Sequence, residues 1–342
     1  MKIVWLSLMG LVLSSMGCGS TSNGGSGAKS GDDASGSPQP FACPAGPFAA
    51  PSLSATPVRV EGVPPADAFN NGNADFTNIE GAVWLGDALY VSEINPGRAE
   101  PNQPPPSRVL RISAQGQVSI AIAADSGTNG LAINAAGELF GAVHKDGSVS
   151  KLSLSGGAPT PIVTQFMGSR FDSPNDLTIH SNGTIYFTDP DYQAPTPRPQ
   201  AATRAYRVPP GAAPLAIEEL AQPNGITLSK NQDFLYIGGT SLRRYPVLAD
   251  GSLGQGVSFG GGGSTDGMVI DCADNLYAAA RGVSVFDASG KQLGTIEVND
   301  LTQVTNVAFG GADRKTLYVT GQGSGTKKGL FKLAMNVPGF PY

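Results

Sequence analysis

Short runs of alternating apolar and polar residues, broken by glycine and proline, recur along most of the chain, with no long stretch of 3.6-residue apolar period. An apolar pair opening such a run returns as Leu89-Tyr90, Leu139-Phe140, Ile185-Tyr186, Leu235-Tyr236, Leu276-Tyr277 and Leu317-Tyr318, at intervals of 50, 46, 50, 41 and 41 residues. Before each pair stands an oxygen-bearing residue, usually followed by glycine and then by alternating apolar positions. The six copies are Glu80-Gly81-Ala82-Val83, Asn129-Gly130-Leu131, Asn175-Asp176-Leu177, Asn224-Gly225-Ile226, Asp266-Gly267-Met268 and Asn306-Val307-Ala308. From the polar residue to the apolar pair the offsets are 9, 10, 10, 11, 10 and 11. Two strands joined by a tight turn fit that spacing, as in Ile179-His180-Ser181-Asn182-Gly183-Thr184-Ile185. A four-stranded unit of about 40–50 residues is a propeller blade. The pattern therefore predicts an all-β, six-bladed β-propeller with four-stranded blades. The first strand of a blade lines the central channel, which places the six polar residues (hereafter anchors) at one level around the axis. Closure requires the ends to meet, and the runs 56–61 and 329–333 are the strands expected to share one blade.

Composition agrees with many short strands: 46 glycines and 27 prolines in 342 residues. A formal net charge of -5 with no basic cluster gives no support for nucleic-acid binding. The propeller occupies 43–342. Ahead of it, Lys2 and the apolar or small run 3–17 form a secretory signal too short to span a bilayer. Ser15-Met16-Gly17-Cys18 resembles a bacterial lipoprotein processing site, with Ser15 where that pattern usually has leucine. Lipidation of Cys18 is the expectation, and residues 18–42, rich in Gly and Ser, read as a tether. The protein is thus expected in the bacterial cell envelope (periplasm or outer membrane), touching membrane only through its lipid. Cys43 and Cys272 lack C-x-x-C spacing, which disfavours a thiolate metal site. Two alternatives stay open for them, a disulfide or two separate buried thiols.

Every anchor (Glu80, Asn129, Asn175, Asn224, Asp266, Asn306) offers a carboxylate or amide oxygen, and none is His or Cys. Hard oxygen donors suit Ca²⁺, with other divalent cations compatible. One Glu and one Asp would balance a divalent charge, and without a cation they would repel at the cost of desolvation. Asn-Gly and Asp-Gly are also turn signals, so a single anchor would read as backbone punctuation; six in register do not.

Together with Ser173-Pro174-Asn175-Asp176-Leu177, Tyr186-Phe187-Thr188-Asp189-Pro190 and Pro223-Asn224-Gly225, the motifs Glu80-Gly81 and Asp266-Gly267-Met268 resemble those of the senescence-marker-protein/gluconolactonase/luciferin-regenerating-enzyme family. The resemblance covers about 57–342 and implies a six-bladed propeller with a catalytic divalent cation. It assigns Glu80, Asn175, Asn224 and Asp266 as metal ligands, and Asp266 an acid/base or nucleophilic role besides. An Arg that some members place two residues before the first of these Asn is replaced by Ser173, which puts a sugar-lactone specificity in doubt.

Asp176 breaks the repeat, since four other blades have Gly after the anchor. It is expected to serve catalysis beside Asp266, as an acceptor that orients a metal-bound water or an Asn amide. Asn129 and Asn306 are the anchors left to face substrate. Opening of a lactone, a cyclic ester, at the cation is the favoured reaction. A phosphotriesterase-like hydrolase at the same site and a non-catalytic cell-envelope binding propeller with a structural metal are the alternatives. H-E-x-x-H does not occur. His144 and His180 read as solvated strand-end residues, Asp189 as an acceptor of turn amides, and Trp84 and Tyr90 as blade-core aromatics.

Overall fold

The computed structural model describes residues 41–72, 77–123, 125–323 and 328–341. The signal segment, Cys18 and nearly all of the tether lie outside the described residues. Six antiparallel sheets of four strands follow one another along the chain. The first blade is built from Asn78–Leu85, Ala88–Ile94, Ser107–Ser113 and Val118–Ile122. Each later blade repeats that meander, with the strand following the anchor innermost and the apolar pair on the second strand. The sixth blade differs: Gln303–Gly310, Thr316–Gln322 and Gly329–Ala334 are completed by Val58–Arg59 from the other end of the chain.

The closing pair is antiparallel, with Val58 opposite Lys332 and Arg59 opposite Phe331. Val60 N–H also donates to Leu330 O at 2.8 Å, and Arg59 Nη2 to Lys328 O at 2.7 Å. The paired segment is shorter than the 56–61 run, because Pro57 has no N–H to give and Gly62 turns the chain at φ +75°. Pairing the two ends removes the exposed edge that an open array would leave.

Alternation produces the core directly. Blades pack face to face, and each of the six apolar clusters joins residues of two neighbouring blades. Between the second and third blades, Phe171, Phe187 and Tyr206 meet with ring centroids 4.9–5.1 Å apart. Burying a Phe of this kind contributes roughly 1.5–3 kcal/mol. Trp84 stacks on Tyr318 at 5.8 Å between the sixth and first blades, and Tyr90 is buried nearby, so both are packing residues as expected.

Cys43 and Cys272 are joined in a disulfide with Cα atoms 5.5 Å apart. Cys272 lies in the turn after Met268–Ile270, at the end of that strand remote from its anchor. A short hairpin, Gln165–Phe166 with Ser169–Arg170, is inserted between the second and third blades around Met167 and Gly168, both at positive φ. No helix among the described residues is long and apolar enough to cross a membrane.

Candidate functional site

The six anchors stand in the first half of an innermost strand or just before it, and the backbone brings them there in two ways. In the first, second and sixth blades the anchor lies within the strand beside a break in register, between Glu80 and Val83, Thr128 and Leu131, and Val304 and Asn306. A bulge of this kind re-aims a side chain. In the other three blades the anchor precedes the strand yet keeps its tie to the second strand. Asn175 N–H donates to Thr188 O at 2.9 Å, Asn224 N–H to Gly238 O at 3.0 Å and Asp266 N–H to Ala279 O at 2.7 Å.

The glycine after an anchor is required by contact between blades. A Cβ on Gly81 would sit 2.0 Å from Asn129 O, and one on Gly225 2.1 Å from Asp266 O. Gly130 and Gly267 are equally closed, by Asn175 O and Asp176 in one case and by the Asn306 amide in the other. Hydrogen bonds lock the same level: Gly130 N–H to Asn175 O at 2.6 Å, Gly267 N–H to Thr305 O at 2.9 Å, and Thr305 Oγ1 to Ile79 O at 2.8 Å. In the third blade the glycine is replaced by Asp176. Its oxygens accept Leu177 N–H at 2.9 Å and Ile226 N–H at 3.2 Å, the latter from the fourth blade. Asp176 is a tie between blades that carries a carboxylate into the ring.

Asn129, Asn175, Asp176 and Asn306 are buried, whereas Glu80, Asn224 and Asp266 are half-buried. The three carboxylates lie deep in the ring, and their surroundings favour the protonated form. Burial, then the charges of Asp266 and Asp176, push Glu80 well above the usual carboxylate range. Burial, then Asp176, pushes Asp266 up to about 8, against partial relief from Gly267 N–H, Gln303 and Asn224. Burial raises Asp176 to about 7. Asn306 Oδ1 accepts Val307 N–H at 2.7 Å, so its amide group is left to donate. Asp176 and Asn306 also line a narrow cavity of about 50 Å³, room for a water or two, walled chiefly by Leu131, Ile133, Leu177, Ile226, Met268 and Phe340.

Tyr192 is a member of the site that sequence reasoning did not single out. Its hydroxyl lies 3.4 Å from Gln222 O, two residues before Asn224, and burial, then the charge of Asp266, raises its pKa. The signal that could have found it is the length of its connection, 190–203, because long loops in compact domains are commonly functional.

Two other sequence expectations are settled here. His144 is fully buried, contrary to the solvated position expected, because Pro105 of the long 95–106 loop covers it and accepts from Nε2 at 2.8 Å. Burial holds its imidazole down at about 4. His180 is partly exposed, and its Nδ1 accepts Asn182 N–H at 3.1 Å. Asp189 accepts Ser173 N–H at 2.7 Å and Asp172 N–H at 3.0 Å, the turn-amide role expected of it.

The donor chemistry fits a hard divalent cation. Glu80 and Asp266 are anchors alongside four Asn, and the charges named above as acting on Glu80 are carboxylates. Among the described residues no cluster of three or more His, Cys, Asp or Glu has metal-holding geometry, so any ion here would need the Asn oxygens as well.

A sequence profile for the SMP-30/gluconolactonase/LRE-like region matches residues 79–323. A gluconolactonase of Zymomonas mobilis is 28% identical over 222 residues, 57% of this chain and 61% of the relative. The chain thus spans less than two thirds of that relative's length, as it does for a lactonohydrolase of Aspergillus oryzae. Among solved structures, a gluconolactonase of Xanthomonas campestris superposes with a TM-score of 0.64 at 27% identity, covering 76% of this chain and 86% of its own. Regucalcin of Agrobacterium tumefaciens shares the fold, with a TM-score of 0.59 at 20% identity over 77% of this chain and 91% of its own. The chain belongs to the SMP-30/gluconolactonase/LRE-like family.

Proposed function

We propose that the channel holds a divalent cation, Ca²⁺ by donor type, between Glu80, Asn175, Asn224 and Asp266, and that the protein hydrolyses a lactone there. The observation that carries this reading is the pair of acidic anchors, Glu80 and Asp266, set deep among amides and forced towards protonation. Nothing in the packing requires two acids at that level. Two relatives named gluconolactonase support the substrate class. A bound ion of this kind supplies Lewis acidity, polarising a carbonyl oxygen and making water more acidic.

The chain's own residues do the rest. Asp266 takes the proton from the attacking water and returns it to the departing ring oxygen, so that lactone and water give a hydroxy acid. Asn306 donates from its amide, and Asn129 faces the substrate beside it. Asp176 keeps the third and fourth blades in register and adds negative potential that favours a cation. The disulfide accords with an oxidising compartment, and with it an exported protein held at the cell envelope through Cys18.

Protein lacking residues 1–18 should be assayed on an aldonolactone, an aromatic lactone and a phosphotriester, with and without chelator. Chelator-sensitive lactone hydrolysis, lost by more than about 100-fold in Glu80→Gln and in Asp266→Asn, is the expected result. Chelator-sensitive turnover of the phosphotriester alone would move the reading to that chemistry. No chelator-sensitive turnover at all would leave a binding propeller.

A further inference from the structure

We infer that Tyr192 is the wall of the substrate site, and that its ring selects uncharged lactones fused to an aromatic or apolar ring over polyhydroxylated ones. The substrate class rests on the lactonase reading; the placement of the ring does not. Tyr192 is 48% exposed, and its hydroxyl lies 3.4 Å from Gln222 O, two residues before the Asn224 anchor. With half its surface open, the ring presents an apolar face beside that anchor.

The loop that carries it is held from several sides. Arg198 bridges Asp172 at 3.1 Å and Asp191 at 2.7 Å. Gln222 Nε2 donates to Asp191 Oδ1 at 2.6 Å, tying the same loop to the approach of the fourth blade. Ser173 Oγ donates to Pro190 O at 2.8 Å and accepts Gln193 N–H at 3.3 Å. Ser173 therefore acts through the loop, drawing 190–193 against the strand entry that ends in Asn175. Because the loop is ordered before anything binds, contact with the ring is not offset by a cost of ordering.

Charge points the same way. One divalent ion beside the carboxylates of Glu80, Asp266 and Asp176 leaves no positive surplus to draw an anionic substrate. Arg198, the cation nearest in the loop's own network, is spent on Asp172 and Asp191. Charge thus favours an uncharged substrate, and among uncharged ones an aromatic or apolar ring gains most from the exposed face of Tyr192.

The test compares dihydrocoumarin with glucono-lactone on the Ca²⁺-loaded full chain. Tyr192→Ala should lower the ratio of their kcat/KM values about five- to tenfold, through KM of the aromatic substrate, whereas Tyr192→Phe should hold it within about twofold. In parallel, ligand-observed NMR should show the wild type preferring 3,4-dihydroquinolin-2-one, the lactam isostere of dihydrocoumarin, to 2-piperidone, a preference Tyr192→Ala loses and Tyr192→Phe keeps. A ratio and a lactam preference both unchanged in Tyr192→Ala would overturn the inference, as would Tyr192→Phe falling as far as Tyr192→Ala. Should neither lactone be turned over, the lactonase reading fails and the lactam arm still decides the role of Tyr192.

Discussion

Asp266 and Glu80 are carboxyl groups whose protonation is set by their neighbours, and this gives the metal-free protein a pH dependence of definite sign. Asp266 and Asp176 titrate at about 8 and about 7 in the fold, against 3.8 for the free residue. The folded chain thus keeps protons that the unfolded chain has released, and stability falls as pH rises through those values. Asp189, held at about 7 by burial, adds in the same direction. His144 acts oppositely, since its pKa is lowered to about 4 from 6.5, but its contribution is complete above pH 6.5. Melting without metal should therefore fall from pH 6.5 to 8.5, and the rise in Tm given by Ca²⁺ should grow over the same range, because the ion displaces those protons. A Ca²⁺ effect independent of pH would show that these carboxylates do not hold the ion. At this scale the anchors were legible because chemistry and spacing repeat together. Tyr192 and the burial of His144 were not, since both depend on where long, aperiodic loops come to rest.

Among the structural elements, the innermost strands converge so closely that side chains are excluded beside the anchors. Gly225→Ala would force a Cβ to 2.1 Å from Asp266 O, and the backbone that aims Asp266 would have to move. A loss of about 1–3 kcal/mol in stability and a weaker response to Ca²⁺ are expected, read by thermal melting with and without the ion. Gly263→Ala is the control: a Cβ there meets nothing within 4 Å, and Tm should change little. Equal effects of the two substitutions would contradict the close-approach account. The glycines were visible in the sequence, but their reason was not. Asn-Gly and Asp-Gly suggest turns, whereas Gly130, Gly225 and Gly267 are not at positive φ and serve packing between blades. The four-stranded blades were legible from the apolar pairs, but the hairpin at 165–170 was not, because two-residue strands leave no period.

For the whole molecule, ring closure and the disulfide act on the same problem, the loose ends of a circular array. The Cys43–Cys272 bond spans 229 residues, and constraining so long a loop in the unfolded chain is worth about 2–4 kcal/mol. Reduction, or Cys43→Ser, should lower Tm by roughly 5–10 °C; no change would mean that the segment adds nothing to the body. The ring itself was legible from six repeats, and its closing strands from two leftover β-like runs. The disulfide was not, since sequence carries no distance between Cys43 and Cys272. The ring's consequence for function is that each blade delivers one oxygen-bearing side chain to the same level. Calorimetric titration of metal-free protein with Ca²⁺ tests that claim most directly. The account predicts one ion bound per chain, with binding lost in Glu80→Gln and in Asp266→Asn but retained in Tyr192→Phe. Binding of one ion at unchanged affinity in both acidic variants would contradict it.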